Sequence, residues 1–159
     1  MKKNSAFTIV ELVAVVVILA ILSVIALPRF FDLQQDARES AIQGLAGEMN
    51  SAVNLVYSKS AIQGVEREGM AVLSEPRVRV TFGYPWATMK DLESVLDGVG
   101  QGQDFVQVGR GNDGGIPISN PWISIGFADY SDFCVKYSQA TPEQPARVEV
   151  VANQDECSF

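Results

Sequence analysis

Hydrophobic and polar positions divide the chain into an apolar N-terminal run, an amphipathic stretch and a region of short alternating segments. The apolar run extends from Phe7 to Leu27 and contains one charged side chain, Glu11. At about 1.5 Å per residue, a helix over this run is long enough to cross the hydrocarbon core of a bilayer, about 30 Å thick. An ionised side chain inside hydrocarbon costs several kcal/mol, so we expect Glu11 to have a function and a cationic partner.

Beyond the run, apolar residues recur at spacings of three and four, which predicts a helix lying against a core. We expect one long helix from about Phe7 to about Ser60, with Gly64 as its stop signal. Pro28 should kink this helix, because proline removes a hydrogen bond and clashes with the preceding turn. A helix roughly 80 Å long exceeds what a domain of this size encloses, so its apolar half requires lipid or copies of itself. The apolar positions of the amphipathic stretch are Ile42, Leu45, Met49, Val53 and Val56.

The remaining chain predicts an antiparallel sheet, because several segments place apolar residues on one face. Thr88 and Asp91 stand at capping-box spacing and predict a short helix over Asp91–Leu96, while Gln101–Gly115 is interpreted as a glycine-rich loop. The expected fold class is α+β, with residues 1–6 as a leader, 7–27 as an apolar helical segment, and 28–159 as a head domain that includes the amphipathic half of the helix, residues 28–60. The predicted strands are Val78–Phe82, Ile123–Phe127, Cys134–Tyr137 and Arg147–Val151, the last two paired across Thr141–Pro145.

Composition argues against several classes of function. The chain has 12 basic and 19 acidic side chains and a net charge of −7, so nucleic acid is an unfavourable partner. It contains no histidine, which excludes the usual Ser-His-Asp and Cys-His relays and removes the commonest zinc ligand. We therefore expect no enzymatic activity, no cofactor and no resident metal.

The predicted loop Gln101–Gly115 carries two motifs with simpler interpretations. Gly109–Gly114 fits the dinucleotide-binding pattern G-x-G-x-x-G, but a proline soon follows where that pattern requires a helix. Asp104, Asn112 and Asp113 offer the oxygen ligands that calcium prefers, whereas aspartate and asparagine beside glycine are also ordinary turn residues. A turn is the favoured interpretation, and calcium binding stays open.

Carboxylate pairs and tryptophans are weaker candidates. Two pairs of neighbouring carboxylates are interpreted as solvated charge, and two tryptophans as core packing in preference to a platform for sugar rings. The carboxylate pairs are Glu66 with Glu68 and Asp91 with Glu93, and the tryptophans are Trp86 and Trp122.

A short basic head, Met1–Ala6, precedes the apolar run and ends in a small residue. Cleavage between Ala6 and Phe7 would expose an α-amino group near Glu11, and this amine is the nearest plausible partner of the carboxylate. An ordinary secretory signal is instead cut beyond its apolar run, and Leu27–Phe31 is a poor site for that cut. The pattern resembles the class III signal of type IV prepilins, in which a membrane peptidase cuts before the phenylalanine and methylates it.

Three further segments make this resemblance narrower. Asp36–Arg38, Tyr57–Ile62 and Phe82–Thr88 are similar to segments of the MSHA-type pilins, the mannose-sensitive haemagglutinin branch of the type IV pilins. Members of that branch usually have glycine before the cut, where this chain has Ala6.

The resemblance implies a structural subunit, N-methylated at Phe7, that polymerises with itself through its N-terminal helix into a surface fibre for attachment and biofilm formation. It implies a prepilin peptidase and an inner-membrane pilus assembly platform as partners. Before assembly the subunit would be stored in the inner membrane, with Lys2 and Lys3 on the cytoplasmic side. In the extracellular pilus, Glu11 would neutralise the amine of Phe7 on an adjacent subunit or on itself, and this buried pair would set the register.

Two cysteines, Cys134 and Cys157, are expected to form a disulfide, because the export signal places the head domain in an oxidising compartment. Such a bridge would hold the C-terminal tail and contribute roughly 3 kcal/mol in the loop-entropy model. The alternative is a pair of free thiols.

Other classes of protein remain as alternatives for the whole chain. A minor pilin or a type II secretion pseudopilin would share the signal and the helix, and would differ in copy number and location. A membrane-anchored periplasmic binding module or enzyme would keep Met1–Ala6 and would stay with the cell on shearing.

Overall fold

A computed structural model describes residues 7–112 and 120–158, with only the backbone of residues 27, 28 and 30–32. It divides into two compact units between Glu39 and Ser40. One helix, α1 (Ile9–Gln63), contributes residues to both units. This helix agrees with the single long helix that the sequence predicts over Phe7–Ser60.

The described part of the first unit is the N-terminal half of α1. Its segment Ile9–Ala26 has a mean hydropathy of 3.1, and none of its residues is buried within the chain. Large apolar side chains follow one another there without a polar stripe, so every face of the segment is apolar. By length and composition the segment is able to cross a membrane.

In the second unit, one face of α1 packs against a core. The five apolar positions of the predicted amphipathic stretch, from Ile42 to Val56, are all buried, which confirms that prediction. After Gln63, Gly64 takes a φ of +71°, and the Val65 amide donates to the Ser60 carbonyl at 3.0 Å. A left-handed residue after the last turn is a common helix stop, and glycine adopts it without steric cost.

A small antiparallel sheet follows α1 in the chain. It contains β1 (Ala71–Val72), β2 (Arg79–Thr81) and β3 (Tyr84–Pro85), in that order. The next element, α2 (Met89–Leu92), begins after Thr88, whose hydroxyl accepts from the Asp91 amide at 3.4 Å. The cap is therefore the predicted one, but α2 both begins and ends earlier than the predicted helix Asp91–Leu96.

The larger sheet is antiparallel throughout, with strand order β4-β5-β6-β7. The predicted pairing of the last two strands is confirmed, since Cys134 lies opposite Val151 and Ser138 opposite Arg147. The predicted strand Val78–Phe82 belongs instead to the small sheet. The strands are β4 (Val106–Asn112), β5 (Pro121–Gly126), β6 (Cys134–Ser138) and β7 (Arg147–Val151).

Strand β4 lies within Gln101–Gly115, where the sequence predicts a glycine-rich loop, so that prediction is wrong over Val106–Asn112. The end of the predicted loop, residues 113–115, lies outside the described residues. Two glycines of β4 are required by close packing. An ideal Cβ on Gly109 would lie 2.4 Å from the carbonyl oxygen of Glu156, and one on Gly111 would lie 2.5 Å from the Trp122 ring. Because glycine in a strand can mark close backbone approach as well as a turn, composition alone does not distinguish the two cases.

The main core lies between α1 and the larger sheet. Aliphatic side chains of α1 meet the inward-facing residues of β5 and β6, and residues of α2 and the following turn complete the cluster. The buried members are Ile42, Leu45, Ala46, Met49, Val53, Leu92, Leu96, Val99, Ile123, Ile125, Val135 and Tyr137.

Candidate functional site

The start of α1 is built around Thr8 and Glu11. Glu11 Oε2 accepts hydrogen bonds from the Thr8 amide at 2.9 Å and from Thr8 Oγ1 at 2.7 Å, while the Glu11 amide lies 3.3 Å from Thr8 Oγ1. This reciprocal arrangement is a capping box, which satisfies amide groups that the first turn of a helix leaves free. The spacing Thr-x-x-Glu is its sequence signal, and we missed it by interpreting Glu11 only as a charge.

The capping box leaves half of the carboxylate unused. Within the described residues, no hydrogen bond involves the second oxygen of Glu11, Oε1. Phe7, one residue before the cap, is 78% exposed. The start of the helix therefore presents an exposed ring and a carboxylate oxygen that can accept a donor from outside the chain.

The apolar span that follows keeps its polar groups satisfied. Ser23 Oγ donates to the Leu19 carbonyl at 2.7 Å, so its hydroxyl is bonded inside the helix. Glu11 is the one charged residue of the segment Ile9–Ala26. The segment thus combines an unbroken apolar surface with a single carboxylate at its first turn.

Two predicted features of this region, the cleavage site and the kink, involve residues that the structure does not describe in full. Ala6, the residue before the predicted cut, lies outside the described residues. Pro28 lies inside α1, but its side chain is also outside the described part of the chain. The cleavage site and the kink therefore stay predictions.

A disulfide joins β6 to the C-terminal tail. Cys134 and Cys157 are bonded, with Cα atoms 5.5 Å apart, and both residues are buried. Beside the bridge, Lys136 Nζ lies 3.1 Å from Glu156 Oε1 and 4.5 Å from the centroid of the Trp122 ring. The bridge is the pair that the sequence predicts, and an ion pair holds the same tail.

Asp91 does not have the solvated environment predicted for it. It is 4% exposed and accepts hydrogen bonds from the Arg79 amide, Nε and Nη2 at 3.1, 3.2 and 2.7 Å. Burial raises the pKa of Asp91, but hydrogen bonds from Arg79 and Thr88 outweigh it and hold this pKa below its usual range. Asp91 is therefore a structural anion, while Glu93 is exposed as predicted.

Both tryptophans are partly buried, and each ring faces a cation. The Arg79 guanidinium lies 4.6 Å from the centroid of the Trp86 ring. The Lys136 ammonium lies 4.5 Å from the centroid of the Trp122 ring. Such cation–π contacts hold the rings within the fold. An open platform for a sugar ring is not what these two side chains form.

The region of the two weak motifs includes strand β4. Gly109 and Gly111 lie inside a strand, so the first two glycines of the dinucleotide-binding pattern do not form a phosphate-binding loop. Asn112 Oδ1 accepts from the Asn120 amide at 3.2 Å, Asp104 is exposed, and Asp113 lies outside the described residues. Across residues 7–112 and 120–158, no group of three or more His, Cys, Asp or Glu side chains is placed to hold a metal ion.

Comparison with known proteins places these features in a wider context. Residues 1–27 match the prokaryotic N-terminal methylation motif. Over 97 residues the chain is 32% identical to the type IV narrow pilus major component PilA5 of Thermus thermophilus, an alignment that covers 58% of this chain and 78% of that protein. No solved structure gives a significant match. The matched motif contains the capping box and the whole apolar span.

Proposed function

Because the chain belongs to the type IV pilin family, we propose that it is the major subunit of an MSHA-like pilus, a surface fibre for attachment and biofilm formation. Proteins of this family are structural. The relative in Thermus thermophilus is itself a major pilus component, which supports the major-subunit part of the proposal. The three segments similar to MSHA-type pilins support the choice of branch.

The exposed apolar span is the observation that carries this proposal. Ile9–Ala26 buries none of its residues within the chain, although burying apolar surface is worth roughly 25 cal/mol per Å². A helix that is apolar on all faces is stable in lipid or among other apolar helices. An inner-membrane precursor and a fibre of packed helices provide these two environments in succession.

The capping box divides the work of Glu11 between its two oxygens. Oε2 accepts hydrogen bonds from Thr8 of the same chain. Cleavage by a prepilin peptidase would leave an ammonium on Phe7, and transfer of a methyl group from a methyl donor would then methylate it. We expect Oε1 to accept a hydrogen bond from the Phe7 ammonium of an adjacent subunit. Leaving either charge alone in an apolar fibre is costly, so the pair would select one register between neighbouring helices.

Storage and assembly follow from the same segment. With Lys2 and Lys3 on the cytoplasmic side, the precursor would lie in the inner membrane with its head domain outside the cytoplasm. An inner-membrane assembly platform would then move the apolar helix from lipid into the growing fibre.

Shearing the cells provides the first test. Fibres released by shearing are collected, and the intact mass and N-terminal residue of the subunit are determined. We expect abundant protein that begins with N-methylated Phe7. Recovery from membranes alone, with Met1 intact, would contradict the fibre proposal, and processed protein in trace amounts would indicate a minor pilin.

A charge-neutral variant tests the role of Glu11. Glu11→Gln keeps a side-chain oxygen for the cap but removes the charge, so membrane insertion should be unchanged. The sheared fibre fraction should fall roughly tenfold or more, because breaking a buried pair costs about 3–5 kcal/mol. Glu93→Gln removes the same charge from an exposed site of the head and serves as the matched control. Normal piliation by the Glu11 variant would rule out the pairing.

A further inference from the structure

Three basic side chains of the second unit line one open cleft beside β2 and α2. They are Arg77, which precedes β2, Arg79 at the start of β2, and Lys90 on α2, and we call this the basic cleft. Residues 40–159 carry 8 basic and 15 acidic side chains. The unit is therefore acidic as a whole, and three of its 8 basic side chains meet at one place on it.

The carboxylate in the basic cleft does not cancel this charge. Asp91 is the only acidic residue among the described residues that line the cleft. It is 4% exposed, and it already accepts hydrogen bonds from Arg79 and from the Thr88 hydroxyl. One carboxylate against three cations leaves a local excess of positive charge.

The basic cleft also has unused hydrogen-bond donors. Arg77 and Lys90 are exposed, and neither side chain makes an ion pair or a hydrogen bond within residues 7–112 and 120–158. Arg79 is half-exposed and binds Asp91 through Nε and Nη2, while its Nη1 bonds to no other described group. Guanidinium and ammonium groups are donors only, and carboxylates are the acceptors that bind them most strongly.

The chain carries many carboxylates that could serve as this acceptor. Several are exposed in the second unit and take part in no ion pair with another described residue. Heads of like charge repel each other, unless groups of opposite charge meet where the heads touch. Such carboxylates include Glu68, Glu75, Glu93, Asp97, Glu143 and Asp155.

We propose that the basic cleft binds a carboxylate on the head domain of an adjacent copy of this chain. Charge complementarity selects this occupant, because the cleft is a cationic exception on an acidic chain and a fibre places identical acidic heads beside one another. The inference thus rests on the proposed polymerisation, which gives the neighbouring carboxylates a high effective concentration. Arginine binds a carboxylate through two N–H groups, and Lys90 adds a point charge.

Zero-length cross-linking of sheared fibres tests the contact directly. A carbodiimide joins a lysine amine to a carboxylate only where the two touch, and denaturing electrophoresis separates the resulting dimers from monomers. We expect dimers whose digest contains Lys90 joined to an acidic peptide of the same protein. Lys90→Arg keeps the charge but removes the reactive amine, so the dimer yield should fall roughly fivefold or more.

Lysine 59 provides the matched control for this experiment. Lys59 lies outside the basic cleft, and its Nζ donates to the Glu75 carbonyl of its own chain at 3.3 Å. Lys59→Arg makes the same chemical change as Lys90→Arg and should leave the dimer yield unchanged.

Charge removal tests whether the fibre needs the contact. Arg77→Gln with Lys90→Gln should lower the fibre yield roughly two- to fivefold, as expected for partly solvated ion pairs. Arg67→Gln with Arg110→Gln removes the same charge from exposed positions outside the cleft and should leave the fibre yield near that of the wild type. A wild-type unfolding midpoint of the extracted monomers shows that each variant is folded.

Three results would overturn the inference while leaving the proposed function intact. They are wild-type fibres whose dimers do not depend on Lys90, an equal loss of fibres in both double variants, and Lys90 joined to a different protein instead of a copy of this chain. Wild-type cells that release no fibres would contradict the proposed function, and this inference with it.

Discussion

Glu11 and Asp91, two carboxylates in apolar or buried surroundings, each interact with a threonine that caps the start of their helix. Glu11 follows Thr8 by three residues, and Asp91 follows Thr88 by three, so each acid shares a helix start with a threonine hydroxyl. Asp91 has a further partner in Arg79, whose guanidinium binds both of its oxygens. A threonine three residues before the acid therefore supplies hydrogen-bond donors to the carboxylate from the same turn of the chain, without any tertiary contact.

Replacing Arg79 tests what the tertiary contact adds. Arg79→Met should lower the free energy of unfolding by about 1–3 kcal/mol, because it leaves the buried Asp91 without its main donors. Arg79→Lys should be intermediate, since lysine keeps the charge but loses the two-pronged contact and the stacking on Trp86. Denaturant unfolding of the full chain in micelles measures both. An unchanged midpoint for Arg79→Met would contradict a structural role for the pair.

The same pair predicts a pH dependence. The pKa of Asp91 is lower in the folded state than in the unfolded chain, so the unfolded state binds more protons as the pH falls. The contribution is fully present above the unfolded pKa of about 3.9 and is lost as the pH falls through the lower folded pKa. Unfolding measured at several acidic pH values should show this loss in the wild type and a smaller one in Asp91→Asn.

At the scale of elements, the same residue type serves two opposite purposes. Gly44 lies in α1 with nothing within 4 Å of an ideal Cβ, whereas Gly109 lies in β4 against the Glu156 carbonyl. In the helix, glycine merely weakens an element that the hydrophobic period already specifies. In β4, the missing side chain is what lets the C-terminal tail approach the strand.

A matched pair of substitutions separates these purposes. Gly109→Ala should destabilise the protein by about 1–3 kcal/mol, because a backbone carbonyl has to move. Gly44→Ala should stabilise the unassembled protein by up to about 1 kcal/mol, because alanine is the better helix former. Midpoints of thermal unfolding for both variants provide the measurement. A wild-type midpoint for Gly109→Ala would mean that the tail does not pack on β4.

At the scale of the whole molecule, the C-terminal tail is attached to the larger sheet of the head domain. The disulfide and the pair between Lys136 and Glu156 attach the tail to β6, and Gly109 admits that tail beside β4. The attached tail thus covers part of the larger sheet. The apolar span at the other end of the chain has no such internal partner among the described residues.

Loss of the disulfide should lower the stability of the head. Cys134→Ser with Cys157→Ser, or reduction of the wild type, should cost roughly 3 kcal/mol of unfolding free energy in the loop-entropy model. Unfolding with and without reductant measures the effect, and the double variant should be insensitive to reductant. Membrane insertion serves as the control, because the apolar span lies outside the closed loop. Equal stability of oxidised and reduced protein would contradict this role of the bridge.

The sequence by itself determined the features that depend on neighbouring residues. The spacing of apolar residues from Ile42 to Val56 determined the buried face of α1, and Gly64 determined where the helix ends. The run Ile9–Ala26 determined its exposed apolar half. These follow from local spacing and composition, which a single helix reports directly. The capping box of Thr8 and Glu11 was equally local and could have been found.

Only the tertiary structure decided the features that join distant parts of the chain. In the folded protein a glycine-rich segment forms β4 and packs against the C-terminal tail, and Asp91 is paired with Arg79. Tyr57 and Glu66 lie beside the turn 141–145. Spacing along the chain does not determine these contacts, because each depends on how helix and sheets pack together. The sequence therefore determined the segment that we propose assembles the fibre. The packing of the head domain determined which side chains come together beside the turn 141–145 and how the C-terminal tail is attached.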